Sequence, residues 1–138
     1  PGTNGALELD FDLGFEYDLK AMYFWNYHSE NYDVDQIVFK FYDAASVFVG
    51  QLSASPKLGN QDGSDGTPIT PEEYLLAFPT NVRYVNALLT GTNQEVDFNN
   101  IGFTAELSAP SPVPEPAALP LMVLGLSALG VLGRRRAG

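Results

Sequence analysis

Apolar and polar residues alternate near the start of the chain. From residue 7 to residue 13 every second residue is leucine or phenylalanine, and Glu8, Asp10 and Asp12 stand between them. A period of two places the apolar side chains on one face of a β-strand and the acids on the other. The pattern stops at Gly14, so we expect this first strand to end there.

Further apolar stretches predict the rest of a sheet. Residues 19–27 are apolar at nearly every position, which is typical of a central strand covered on both faces, and we expect Trp25 in the core. Shorter alternating stretches predict strands at four more places. These lie at residues 37–42, 47–52, 82–90 and 101–107.

The segment 70–78 carries two conflicting patterns. Thr70, Pro71 and Glu73 form the signature of a helix start, with an N-cap, a first-turn proline and a capping-box glutamate. The apolar residues at 74, 76 and 78 alternate as they would in a strand. We favour the extended conformation.

The whole pattern predicts an all-β fold, most simply an antiparallel β-sandwich, over residues 1–107. A turn-rich stretch at 53–73, with two Asp-Gly pairs, predicts a long exposed loop. The chain starts at Pro1 and shows no secretory signal pattern. We therefore expect this sandwich to be incomplete at its N-terminus.

Composition and charge exclude several classes of function. There is no cysteine, which rules out disulfides, thiol catalysis and thiolate zinc sites. Residues 1–113 hold four basic residues against sixteen acids. Such a surface repels phosphate backbones, so we expect no nucleic-acid partner.

The last part of the chain has three different compositions in succession. Residues 108–116 contain four prolines and predict a stiff, extended linker. Residues 117–133 are uncharged and apolar, and as a helix they would rise about 26 Å, close to the thickness of a bilayer core. Residues 134–138 begin with a run of arginines, which favours a cytoplasmic end.

This tail resembles a PEP-CTERM sorting signal, the substrate of exosortase. The motif is Val113, Pro114, Glu115 and Pro116, the apolar helix follows, and the stop-transfer residues are Arg134, Arg135 and Arg136. The resemblance implies an exported protein of a Gram-negative bacterium that makes exopolysaccharide. The chain would cross the inner membrane transiently, lose its tail and reach the cell surface or the extracellular matrix. A plain membrane anchor is the alternative.

The β domain resembles the middle of a discoidin-type, galactose-binding-like jelly roll. The resemblance rests on the Phe24-Trp25-Asn26-Tyr27 run, on the VRYVNALL stretch and on the closing NNIGFTAEL stretch. It covers residues 6–107, and the opening strands of that family are not in this chain. It implies ligand binding by loops at one end of the sandwich, often with carbohydrate as the ligand, and often a structural calcium ion.

One loop carries the chemistry of a sugar-binding site. Aromatic faces stack on sugar rings, while amide and imidazole groups bond hydroxyls. The candidate residues are Tyr27, His28, Asn31 and Tyr32, beside Asn26. A core tryptophan followed by an ordinary polar loop is the alternative interpretation.

Arg83 is the only arginine outside the tail. It could clamp an anionic sugar through paired hydrogen bonds. The alternative is an ion pair with a neighbouring acid on the sheet.

A calcium site is the only metal centre that the sequence suggests. Asp62 and Asp65 in the loop NQDGSDG offer oxygen ligands, but their spacing is not that of an EF-hand. Turn formation by the Asp-Gly pairs is the alternative. Asp33, Asp35 and Asp43 are further possible calcium ligands, with no better support than Asp62 and Asp65. We expect no other cofactor.

We therefore expect a non-catalytic exported protein of the cell surface or matrix, with carbohydrate or exopolysaccharide binding by its β domain. The first alternative is a purely structural component of a biofilm matrix without a specific ligand. The second is a glycan hydrolase that uses paired carboxylates. The chain has a single histidine and no nucleophile-elbow motif.

Overall fold

The computed structural model describes residues 5–60, 66–77, 79–92 and 95–110. All regular structure in these ranges is β, which confirms the all-β prediction. The strands lie within the first of two compact units, which ends at Ser108. They are β1 (Gly5–Asn26), β2 (Gln36–Tyr42), β3 (Phe48–Ala54), β4 (Glu72–Leu75), β5 (Val82–Gly91) and β6 (Phe98–Leu107).

The first strand is longer than its sequence pattern predicts. The prediction that it ends at Gly14 is wrong, because β1 continues through this residue to Asn26. Gly14 has a φ of 81°, and its backbone N–H donates to Asp12 Oδ1 at 2.8 Å. The register against β5 shifts between Asp12 and Tyr17. A residue without a Cβ accommodates this left-handed conformation, so the strand bends at a bulge instead of ending.

Among the strands that the structure describes, every pairing is antiparallel, and β1 takes part in three of the pairings. Its first half pairs with β5, which is followed across the sheet by β2 and β3. Its second half lies between β6 and β4. Tyr17 has Val82 as its neighbour on one edge and Leu107 on the other. Since β4 and β5 both lie opposite β6, they follow one another along the same edge of β1.

The sheet curls until its two halves face each other. The Phe103 ring on β6 lies 6.1 Å from the Phe39 ring and 6.5 Å from the Phe41 ring, both on β2. This packing is compatible with a β-sandwich. The buried core comprises Leu19, Met22, Phe24, Val34, Ile37, Phe39, Phe41, Leu76, Val82, Val85, Ala87 and Leu89.

Two local predictions have different outcomes. The extended conformation favoured for the ambiguous segment is confirmed, because Glu72–Leu75 forms β4. The prediction that Trp25 is in the core is wrong. Trp25 is half-buried, whereas its neighbours Phe24 and Asn26 are buried. Alternation along β1 turns the indole to the other face, where it covers Gly102.

The predicted tail helix at 117–133, the motif at 113–116 and the arginines at 134–136 lie outside the described residues. Within the ranges that the structure covers, we find no helix long and apolar enough to cross a membrane.

Candidate ligand-binding loop

The loop that follows β1 brings three of the predicted ligand residues together. The Tyr27 ring lies 4.5 Å from the His28 ring and 6.4 Å from the Tyr32 ring, with edge-to-face geometry in both pairs. The loop is closed by a turn in which Tyr32 N–H donates to Ser29 O at 2.9 Å. Asn31 is exposed at this turn. Tyr27, His28 and Tyr32 thus form one cluster of rings, and Asn31 is their exposed neighbour in the turn. We call these four residues the aromatic loop.

The exposure of these side chains decides what the aromatic loop offers to a ligand. Tyr32 is 42% exposed, and Tyr27 and His28 are half-buried. His28 Nδ1 is buried and has no hydrogen-bond partner among the described residues. A ligand therefore cannot reach Nδ1, and the tyrosine rings and the Asn31 amide are the groups that the loop presents to it.

Asn26 is a buried residue that holds the backbone of the aromatic loop by hydrogen bonds. It is 3% exposed, so its side chain is out of reach of a ligand. Its Oδ1 accepts from Tyr27 N and Val34 N, both at 2.9 Å. Its Nδ2 donates to Val34 O at 2.9 Å and to Lys57 O at 3.0 Å. A buried amide with these partners fixes both ends of the aromatic loop, and removing it would leave buried groups unpaired.

A second loop packs directly against the first. Gly59 N–H donates to Tyr27 O at 2.8 Å. A Cβ at position 59 would lie 2.2 Å from Asn26 O. Only a glycine allows this approach of two backbones.

The loop is also anchored to the start of β6 and to the residue that precedes this strand. Asp97 N–H donates to Tyr32 O at 2.7 Å, and Asn99 Nδ2 donates to Asn26 O at 3.0 Å. The aromatic loop is thus bonded to two segments distant in sequence. This support holds the tyrosine side chains on a fixed backbone.

Asp33 is a buried acid behind the aromatic loop. It is 6% exposed, and Asn26 Nδ2 lies 3.4 Å from its Oδ2. Burial raises the pKa of this carboxyl above its ordinary value, and the charges of Asp35 and Glu30 raise it further. The ionised carboxylate therefore destabilises the folded state.

The structure does not bring Arg83 to the aromatic loop. Arg83 lies on β5 beside the first half of β1, where Nε and Nη2 donate to the two carboxylate oxygens of Asp12 at 3.1 and 3.3 Å. Its guanidinium also lies 5.2 Å from the centre of the Tyr84 ring. The hydrogen bond from Arg83 lowers the pKa of Asp12 and raises the pKa of Arg83 itself. This geometry is that of an ion pair on the sheet.

The calcium prediction falls on Asp62 and Asp65, which lie outside the described residues. In the parts of the chain that the structure covers, no group of three or more His, Asp or Glu side chains could hold a metal ion. Asp43 Oδ1 accepts from Ala45 N and Val47 N, at 2.9 and 2.8 Å. Asp35 Oδ2 accepts from Thr92 N at 2.6 Å. These two acids bond backbone N–H groups of turns and strand ends.

Comparison with known proteins identifies the tail. Residues 112–136 match the family model of the PEP-CTERM protein-sorting motif. The match includes the four predicted motif residues and the three arginines. The motif marks a protein that exosortase sorts, exported through the membrane to the cell surface of a Gram-negative bacterium. No curated protein and no solved structure matches the chain, so the discoidin-like resemblance stays a prediction.

We predict that Gly59→Ala lowers the free energy of unfolding by about 1–3 kcal/mol, because the new methyl group forces two backbones apart. Gly50→Ala is the matched control, since its Cβ would meet Pro79 at an ordinary 3.5 Å. Urea unfolding of the intact chain in mild detergent, followed by fluorescence of the single tryptophan, measures both. Equal stability of the two variants would contradict the close approach at Gly59.

We predict that Asp33→Asn stabilises the protein at neutral pH. In the unfolded chain the pKa of Asp33 is about 3.9, and in the folded protein it is higher. As the pH rises from the first value through the second, the buried carboxyl must ionise, and the wild type loses stability. The gain in the variant should therefore disappear as the pH falls below about 4. Unfolding midpoints between pH 3 and pH 8 test this. The exposed Asp97→Asn removes the same charge, and an identical pH-dependent gain there would refute the argument.

Proposed function

We propose that this chain is a non-catalytic protein of the cell surface or extracellular matrix that binds carbohydrate, within the exopolysaccharide layer of its bacterium. The observation that carries the proposal is the sorting motif at residues 112–136. The resemblance of the tail implies a bacterium that makes exopolysaccharide, so polysaccharide is the ligand that a protein delivered to its outer surface would meet. The β domain would act as the binding module, and the tail would serve only in delivery.

The aromatic loop supports carbohydrate as the ligand class. Tyr27 and Tyr32 offer amphipathic ring surfaces for the apolar face of a sugar, and Asn31 offers an amide for its hydroxyls. The acidic character of residues 1–113 favours a neutral sugar over an anionic one. The hydrogen bonds through Asn26 and Gly59 reduce the entropy lost on binding, because the backbone under these side chains is already fixed.

The surroundings of the single histidine support a non-catalytic role. Any histidine-dependent chemistry would have to use His28. The described neighbour of its ring is the Tyr27 ring, and its Nδ1 has no carboxylate partner in the part of the chain that the structure covers. In the Ser-His-Asp arrangement a carboxylate orients the histidine that acts as general base.

We also propose the route of delivery. The apolar segment 117–133 spans the inner membrane as a helix with the arginines 134–136 in the cytoplasm, and the motif at 113–116 stands at the outer surface for cleavage by exosortase.

We propose further that the β domain is a jelly-roll sandwich related to the discoidin type. Support comes from the Trp25-Asn26 pair at the end of β1, which stands directly before the aromatic loop. It also comes from the contact of Phe103 with β2 across the curled sheet.

We predict that the tail is removed only where exosortase is present. The full chain, tagged and preceded by a cleavable secretory signal, is produced in hosts with and without exosortase, and the intact mass and location are measured. The expected mature form lies outside the cell and lacks the mass of the hydrophobic tail in the first host alone. Glu115→Ala should remain uncut, whereas Glu106→Ala, outside the motif, should be cut normally. A full-mass protein in the inner membrane of both hosts would show a simple anchor.

We predict that Tyr27→Ala and Tyr32→Ala each weaken retention on immobilised polysaccharide by about tenfold, because each removes a stacking surface. Phe15→Ala is the control, since Phe15 is an exposed aromatic residue on the bulged part of β1, 69% exposed and outside the loop. Tryptophan fluorescence verifies that each variant is folded. Wild-type retention by both tyrosine variants would remove the aromatic loop as a binding site. No retention of the wild type on any polysaccharide would favour a structural matrix component.

A further inference from the structure

A second candidate site lies on the opposite half of β1 from the aromatic loop. A cleft of about 460 Å³ is bounded by the first half of β1, by β5, by β2 and by the turn at Ser46. Its volume is within the range of about 300–1,000 Å³ typical of small-molecule sites. We call it the sheet cleft.

Cross-strand pairing places the side chains of the sheet cleft on one face. Asp12 is paired with Tyr84, which is paired with Tyr42, so these three form one row across β1, β5 and β2. Asp10 is paired with Asn86, which is paired with Lys40, in the next row on the same face, two positions away along each strand. These side chains point away from the core, because Val85 and Ala87, at the alternate positions of β5, are buried in it.

The first row supplies an aromatic wall. Tyr84 and Tyr42 are half-buried and adjacent across two strands. The Tyr42 ring packs against the Phe48 ring at 5.9 Å, and the Arg83 guanidinium lies 5.2 Å from the centre of the Tyr84 ring. Arg83 is in turn held by Asp12. Supported rings of this kind present a stable surface for the apolar face of a ligand.

The second row supplies oriented acceptors. Asn86 Nδ2 donates to Glu8 Oε1 and to Asp10 Oδ1, both at 2.9 Å, which fixes the amide plane. Asn86 Oδ1 and Asp10 Oδ2 accept no hydrogen bond from any residue that the structure describes. Two fixed acceptor oxygens beside an aromatic wall suit a ligand that carries neighbouring hydroxyl donors.

The charge of the sheet cleft narrows the ligand class. Glu8, Asp10 and Asp12 stand in successive outward positions of β1, Arg83 is bonded to Asp12, and Lys40 on β2 lies in the same row as Asp10. The three acids outnumber the two cations, which disfavours a carboxylate or sulfate on the ligand. An uncharged ring with hydroxyl groups can instead donate to the acceptors and stack on the rings.

We propose that the sheet cleft binds a neutral hexose unit of a polysaccharide, with Tyr84 as the stacking ring and Asp10 and Asn86 as the hydroxyl acceptors. This site is separate from the aromatic loop and uses none of its residues. A chain with both sites would contact a polysaccharide at two points, which strengthens attachment when the two can be occupied together.

The test uses the intact chain in mild detergent and measures binding curves on immobilised dextran and galactomannan, with anionic alginate for comparison. We expect binding to a neutral polymer and weaker binding to alginate. Tyr84→Leu keeps the bulk but removes the aromatic face and should weaken binding about tenfold, whereas Tyr84→Phe should bind as the wild type does. Asp10→Asn replaces an acceptor with a donor and should also weaken binding.

The variants separate this site from the aromatic loop. Loss of binding in Tyr84→Leu and Asp10→Asn, with Tyr84→Phe unchanged, supports the sheet cleft whatever Tyr32→Ala does. Loss in Tyr32→Ala alone supports the aromatic loop and overturns the sheet cleft. Preference for alginate, or no binding to either neutral polymer, also overturns it. Tryptophan fluorescence shows whether each variant remains folded, and Tyr84→Phe guards against a purely structural effect of position 84.

Discussion

The fold depends on one strand that belongs to both halves of the curled sheet. β1 pairs with β5 along its first half and lies between β4 and β6 along its second half. A strand can change partners in this way only if it bends, and β1 bends at the bulge around Gly14 and at a second register shift between Leu19 and Ala21. The bend brings Phe103 on β6 against Phe39 and Phe41 on β2. The two halves of the sheet thus enclose one core, and β1 runs through both halves.

The same strand positions both candidate sites. The aromatic loop begins where β1 ends, at the buried Asn26, and the sheet cleft lies along the outward acids of its first half. The loop is held by backbone contacts that only Gly59 permits, while the cleft is held by regular cross-strand pairing. Different changes would therefore disrupt the two sites. The loss of a few buried hydrogen bonds would disrupt the aromatic loop, whereas a shift in the register of β5 would disrupt the sheet cleft.

Several features could be predicted from sequence because they depend on neighbouring residues. The alternation of residues 7–13, the strands at β2, β3, β5 and β6 and the sorting tail follow from local pattern. The local pattern gave a wrong strand end at Gly14. A glycine within an alternating stretch is as typical of a β-bulge as of the end of a strand, so the sequence does not distinguish the two. The local pattern failed again at Trp25, because a stretch that is apolar on both faces does not show which face is covered more deeply.

The sequence by itself determined the all-β class, the acidic exterior that disfavours phosphate ligands, and the signal at 112–136 that sends the protein out of the cell. These properties depend on composition and on short-range order, which the chain carries without folding. The tertiary structure alone decided that Arg83 bonds Asp12 and lies far along β1 from the aromatic loop. It likewise decided that Asn26 is a buried support and that Asp10, Asn86 and Tyr84 share a cleft. Arg83 and Asp12 are 71 positions apart in the chain, and Asn86 and Asp10 are 76 apart. Only strand pairing and curvature set which of these residues meet.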